Sequence, residues 1–167
     1  MSEHAQHLAE RCIESRDTLV TALATVTDEQ WHQKPEGDDR SLAVIMHHVA
    51  ASYIAIRDTI TAVLNDAPLP HMFQGDDDAA LTRWNAEYAE QHRDCSKAET
   101  IALLEQNSTM AAEYIRGLSD EDLKKTANYP LLVLWFHGPP TVEQLVDGMF
   151  INHPNRHLPD IKAVCSQ

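Results

Sequence analysis

From residue 3 to residue 26, apolar side chains return every three or four positions, at Leu8, Cys12, Leu19, Ala22 and Val26, with Ser15 filling one turn. That period gathers them on one side and predicts an amphipathic helix. Thr27-Asp28-Glu29-Gln30 offers a capped short turn before Trp31, and Pro35-Glu36-Gly37-Asp38-Asp39 breaks any helix. Ser41 is placed to cap a second helix reaching about Asn65, with a stripe of Leu42, Ile45, Val49, Tyr53, Ile56, Ile60 and Val63. Ala67-Pro68-Leu69-Pro70 ends it. Beyond a solvated Gly75-Asp76-Asp77-Asp78 stretch, residues 78–118 are helix-prone in two pieces that divide near Asp94-Cys95-Ser96, with Ser96 and Glu99 placed as a capping box. Leu103, Met110, Tyr114 and Leu118 are the expected buried stripe of the second piece.

Tyr129 to Phe136, YPLLVLWF, is the one strand-like run, closed by His137-Gly138-Pro139-Pro140. Thr141 or Pro140 opens the last helix, which Pro154 and Pro159 should kink or restart because each removes a backbone donor. The expected architecture is all-α, a four-helix bundle forming one domain over residues 1–167, with an irregular insertion before the last helix.

Charge narrows the partners. The 167 residues carry 26 acidic and 13 basic side chains, a formal net charge of −13. Such a surface repels phosphate backbones and anionic lipid, so neither nucleic acid nor membrane is an expected partner. The longest uncharged apolar run, residues 41–56, contains His47 and His48 and falls short of the roughly 18 residues a membrane span needs. MSEHAQHLAERC lacks the basic-then-apolar pattern of a secretion signal, which points to the cytoplasm. Cys12, Cys95 and Cys165 are odd in number and form no CxxC, so they read as reduced thiols rather than a disulfide framework or a thiolate zinc site.

The last helix carries the chemistry. Val142, Leu145, Val146, Met149, Phe150, Ile161 and Val164 share one broad face, and His153 and His157 project near its middle. One turn apart, two imidazoles face a single point. Buried away from water, they need hydrogen-bond partners or a metal, so a structurally satisfied pair is the alternative to a ligating one. In the second helix His47 and His48 differ by about 100° around the axis and cannot both face inward. His47 points away from Leu42, Ile45, Val49 and Ile56 and is expected in solvent. His48 lies on the flank of that stripe beside Ser41, Ser52 and Ala55 and is the candidate third ligand.

Other constellations carry less. Glu29-Gln30-Trp31-His32 spells ExxH, but a di-iron centre needs a second such motif and further glutamates. His4 and His7 are expected in solvent; His71 and His92 fall in loops or near helix ends; His137 is the one remaining histidine placed as a visitor to an active site. Asn85 is expected to cap or pack, with a hydrogen bond to a metal-bound water as the other reading. Trp31, Trp84 and Trp135 read as core or pocket wall.

These pieces together resemble the DinB/YfiT-like superfamily of metal-binding four-helix bundles. The matching residues are Trp31 ahead of a Pro-Gly loop, Ser41-Leu42-Ala43-Val44-Ile45-Met46-His47-His48-Val49, the Trp84-Asn85 pair, and His153-Pro154-Asn155-Arg156-His157-Leu158-Pro159-Asp160-Ile161. The resemblance covers most of the chain and departs from the family pattern in the prolines at 154 and 159. It implies a metal histidine in the second helix, which falls on His48, and a pair in the last, His153 and His157. Zinc or nickel leads as the divalent ion, and iron and manganese also suit imidazole. Three neutral imidazoles leave the open fourth position of a catalytic site, which can ionise water or accept a thiol as thiolate. The resemblance therefore implies transfer between a low-molecular-weight thiol and an electrophile. A small metal-dependent hydrolase with Asp160 as base, and a non-catalytic stress-associated metal-binding or interaction domain, are the alternatives. It also implies a homodimer.

Overall fold

α1 (Glu3–Leu23) begins at Ser2, whose hydroxyl accepts from the Ala5 N–H, and buries Ala5, Leu8, Ala9, Cys12, Ser15, Leu19 and Leu23. After it, Thr27 and Gln30 cap each other reciprocally to form the single turn α2 (Asp28–Trp31), which drives Trp31 into the core. α3 (Leu42–Leu64) starts where Ser41 accepts from Val44, and the whole expected stripe from Leu42 to Val63 is buried. A single 3-10 turn, His71–Phe73, leads to α4 (Ala79–Gln91), then α5 (Lys97–Arg116), α6 (Asp120–Lys124) and α7 (Pro130–Phe136). The C-terminal run comprises α8 (Val142–Leu145), a π-helical stretch Val146–Asn152, α9 (His153–Asn155) and α10 (Leu158–Cys165). This computed structural model describes residues 2–166; Met1 and Gln167, the ends of the expected domain, lie outside the described residues.

α5 packs against both α1 and α3, and the C-terminal run closes the ring by contacting α1 and α3. Their inward faces form one hydrophobic core, so the chain is all-α and a four-helix bundle, with no strand among the described residues. No helix among them is long and apolar enough to cross a membrane.

Two expectations are corrected. The YPLLVLWF run is helix, not strand: Tyr129 is the N-cap, Pro130 occupies the first turn, and His137 closes α7 in the left-handed conformation at φ 57°. Gly138 N–H returns to Val133 O at 3.0 Å, as in a Schellman ending. A short apolar run satisfies either period, and here no neighbouring strand offers partners for its backbone. Leu118, just past the end of α5, is buried as expected, but the buried face of α5 itself is rotated from the rest of the expected stripe. It comprises Thr100, Leu104, Asn107, Ser108, Ala111, Ala112 and Ile115, while Leu103 and Tyr114 flank it. Small side chains let α5 approach two helices at once, and Asn107 Nδ2 crosses to Ala50 O at 2.8 Å. Ser96 caps α5 through the Glu99 N–H, without the return bond of a capping box.

The expected break in the last helix occurs by local winding. Pro154 has no N–H to offer the Phe150 carbonyl, and the wider π turns precede it. The Ile151 carbonyl beside this irregularity accepts from Ser15 Oγ at 2.8 Å and Asn155 Nδ2 at 3.2 Å. The chain then restarts as α10 with Pro159 in its first turn. An isolated antiparallel bridge between Thr126 and Thr141 ties off the insertion carrying α7.

Candidate metal centre

His48 projects from the second turn of α3, His153 opens α9, and His157 sits at the junction between α9 and α10. Despite the prolines, the rings of His153 and His157 lie with centroids 5.2 Å apart, and those of His48 and His153 lie 5.9 Å apart. Both pairs are edge-to-face, at 89° for His48–His153 and 81° for His153–His157. All three side chains line one cavity of about 570 Å³.

The protonation chemistry suits ligation. Burial, aided by nearby Arg40, pushes the His48 imidazole down to about 4; burial, aided by His157, takes His153 to about 3. Both rings are therefore neutral at pH 7, with lone pairs available. His157 Nδ1 lies 2.8 Å from Asp160 Oδ2, so a neutral ring donates its Nδ1 proton to the carboxylate and keeps Nε2 as an acceptor. This carboxylate–imidazole pairing is the support expected behind a metal ligand.

A tetrahedral ion bound at about 2.1 Å by imidazoles separates ring centroids by roughly 5 Å, close to the spacing of these rings. The donor set fits a divalent ion of borderline softness such as zinc or nickel. As the side chains stand, no group of three His, Cys, Asp or Glu among the described residues is gathered at ligating distance around one point. Edge-to-face packing aims ring edges at neighbouring faces, and ligation requires the rings to turn their nitrogens inward.

The rest of the wall divides by chemistry. Arg40 and Arg156 lie on the histidine side, where both depress the His153 pKa. Arg40 is held by Asp38 through bonds of 3.0 and 2.7 Å, which keep the Asp38 carboxyl below the usual range. Trp84 tilts over His48 at 5.7 Å, and Phe73 meets Trp135 edge-to-face at 5.8 Å. Phe136 packs over Gly148, where an added Cβ would approach its ring to 3.1 Å. Asn85 also lines the cavity, in the body of α4 rather than at a cap, and its Oδ1 is buried without a partner.

Two histidines, His47 and His137, behave otherwise than expected. His47 is not left to solvent: its Nδ1 meets Tyr88 Oη, and its ring stacks on His92 at 4.4 Å. His92 in turn stacks on Tyr88 at 4.0 Å. His137 is an exposed helix cap and does not line the cavity. His4, placed in solvent, is exposed and paired with Glu143 at 2.8 Å, while His7 is exposed. In the ExxH stretch Trp31 is buried and donates from Nε1 to Cys95 O at 2.9 Å, while Glu29 and His32 are exposed. Sequence reasoning missed Arg40, Arg156 and Tyr88, because a lone charge or tyrosine outside a periodic stripe reads as surface.

A family model for the DinB superfamily matches residues 12–161. Among solved structures, the chain is similar to YfiT from Bacillus subtilis, a probable metal-dependent hydrolase with an unusual four-helix bundle topology. That likeness has a TM-score of 0.72 at 16% identity and covers 99% of this chain and 89% of the other. A comparison with curated proteins finds no match.

Proposed function

The chain belongs to the DinB superfamily, and from that premise we propose that it is a metal-dependent enzyme whose ion is held by His48, His153 and His157. The adjoining cavity takes a low-molecular-weight thiol and an electrophile: the thiol S–H bond gives up its proton, the sulfur bonds to the electrophilic centre, and the electron pair displaced there departs with a leaving group or takes up that proton. The observation that carries this reading is the meeting of three imidazoles, two of them held neutral by burial, on a cavity large enough for small molecules. A divalent ion supplies an open, Lewis-acidic position that lowers the pKa of a thiol or water brought to it.

The chain's own residues do the rest. Asp160 fixes the His157 ring and its tautomer, and Arg40, held by Asp38, adds positive charge that favours an ionised thiol. Trp84, Trp135, Phe73 and Phe136 exclude water from the wall, which strengthens every charge interaction inside.

The likeness to YfiT favours a hydrolase as the second reading. Against it, no Asp or Glu among the described residues lines the cavity, and Asp160 is already engaged by His157. Both reactions begin with loss of a proton, but a thiol, with a free pKa of about 8.5 against about 15.7 for water, gives it up with less help from a base.

X-ray absorption of the nickel- or cobalt-substituted protein tests this, before and after adding 2-mercaptoethanol. The proposal expects a sulfur neighbour to appear on thiol addition, and to fail to appear in His48→Ala. Ester cleavage that needs no thiol but depends on His48, with no sulfur entering the shell, would put the hydrolase in its place. A tightly held ion with neither behaviour would leave a non-catalytic metal-binding domain.

A further inference from the structure

The chain carries 26 acidic residues against 13 basic, yet among the described residues the cavity wall contains two arginines and no Asp or Glu. The two arginines are not equivalent. The Arg40 guanidinium is occupied, clasped by Asp38 through two hydrogen bonds. Arg156 is exposed, lies between the ligand candidates His153 and His157 in the chain, and lines the cavity. Among the described residues its guanidinium has neither an ion-pair nor a hydrogen-bond partner. Arg83 and Arg116 also lack ion-pair partners among the described residues, but neither lines the cavity, so Arg156 is the arginine that brings a free guanidinium to this wall.

Away from the histidines the wall is apolar and aromatic, with Phe73, Trp135 and Phe136 facing the same space. We propose that Arg156 is the specificity-determining residue of the cavity and that its ligand is a small carboxylate with an apolar or aromatic body. The guanidinium fork takes the carboxylate, and the aromatic wall takes the body. One free guanidinium matches the single charge of a carboxylate, whereas a phosphate dianion would leave one charge without a free cation. The acidic remainder of the surface repels such an anion elsewhere, so the arginine rim is where it is admitted. This rests on the reading of the cavity as a substrate site, and not on the chemistry assigned to the ion.

The test uses two probes of nearly identical shape, 1-naphthaleneacetate and its neutral amide, 1-naphthaleneacetamide. Their binding is measured by titration calorimetry at low salt, on the full chain as purified and again after EDTA treatment. Wild type is expected to bind the carboxylate about ten-fold more tightly than the amide in both preparations. Arg156→Gln should remove that preference while amide affinity stays within about two-fold, and Arg156→Lys should restore part of it. Because the Arg156 side chain has no partner, these variants should melt with wild type, which separates recognition from folding. Equal binding of the two probes, no binding of either, or a preference that survives Arg156→Gln overturns the proposal. A preference that appears only before EDTA treatment and ignores Arg156 overturns it too, while leaving the metal proposal standing. Conversely, an Arg156-dependent preference in a protein that holds no metal even as purified supports it and tells against the metal reading.

Discussion

Asp160 is the residue through which the site is held rather than formed. Its carboxylate, 2.8 Å from His157 Nδ1, sets which nitrogen of that ring is free. Asp160→Asn keeps the shape and loses the charge, so metal affinity is expected to fall about 10- to 100-fold, measured by competition with a chelating dye. Unchanged affinity would show that His157 needs no such support. Tyr53 offers an opposite case: its ring stacks on Phe150 at 5.7 Å, but its hydroxyl is buried with no hydrogen-bond partner. Tyr53→Phe should therefore melt at or above the wild-type temperature, since a buried hydroxyl without a partner costs about 1–3 kcal/mol; clear destabilisation would reveal a bridging water. That His48, His153 and His157 turn toward one cavity was legible because periodicity assigns each a face. The neighbours of His47 were not, because Tyr88 and His92 reach it from an element whose docking no local pattern encodes.

α4 is the element whose packing differs most from the bundle. It has no buried residue, yet it supplies Leu81, Trp84 and Asn85 to the cavity wall. Tyr88 and His92 fasten it to His47 on α3, and Asp78 at its start accepts from Trp135 Nε1 at 2.6 Å. Few buried contacts mean a low cost of local opening. Amide hydrogens of α4 are expected to exchange far faster than those of α3, and His47→Ala should quicken α4 further while leaving α3 unchanged. Equal protection of the two helices would show that α4 belongs to the cooperative core. Legibility at this scale followed the strength of local signals. Ser41 and the dense stripe behind it marked α3 almost to the residue, since cap and period agree. α7 read as strand because seven apolar residues satisfy either period, and only the absence of a strand partner decides. The inner face of α5 was misplaced by about one residue because close helix approach selects Ala111, Ala112, Ser108 and Asn107, which a hydrophobic stripe does not pick out.

At the scale of the whole molecule, the buried imidazoles link folding to pH. Unfolded histidines take up protons near pH 6.5, whereas folded His48 stays neutral to about 4 and His153 to about 3. Between those values the unfolded chain binds more protons than the folded one. The metal-free protein therefore keeps its full stability above about pH 6.5 and loses it as pH falls, by up to about 1.4 kcal/mol per pH unit for each histidine. Urea titrations at several pH values should show this loss, and His153→Leu should make it shallower; an equal slope in the variant would remove His153 as its source. An ion held only by the folded chain would add stability to it.

The triad itself is tested most directly by elemental analysis of protein purified without a histidine tag, comparing wild type with His47→Ala, His48→Ala, His153→Ala and His157→Ala. The account predicts about one divalent ion per chain in wild type and His47→Ala, and its loss from the other three. An empty wild-type protein, or a His48→Ala protein that keeps its ion, would contradict it.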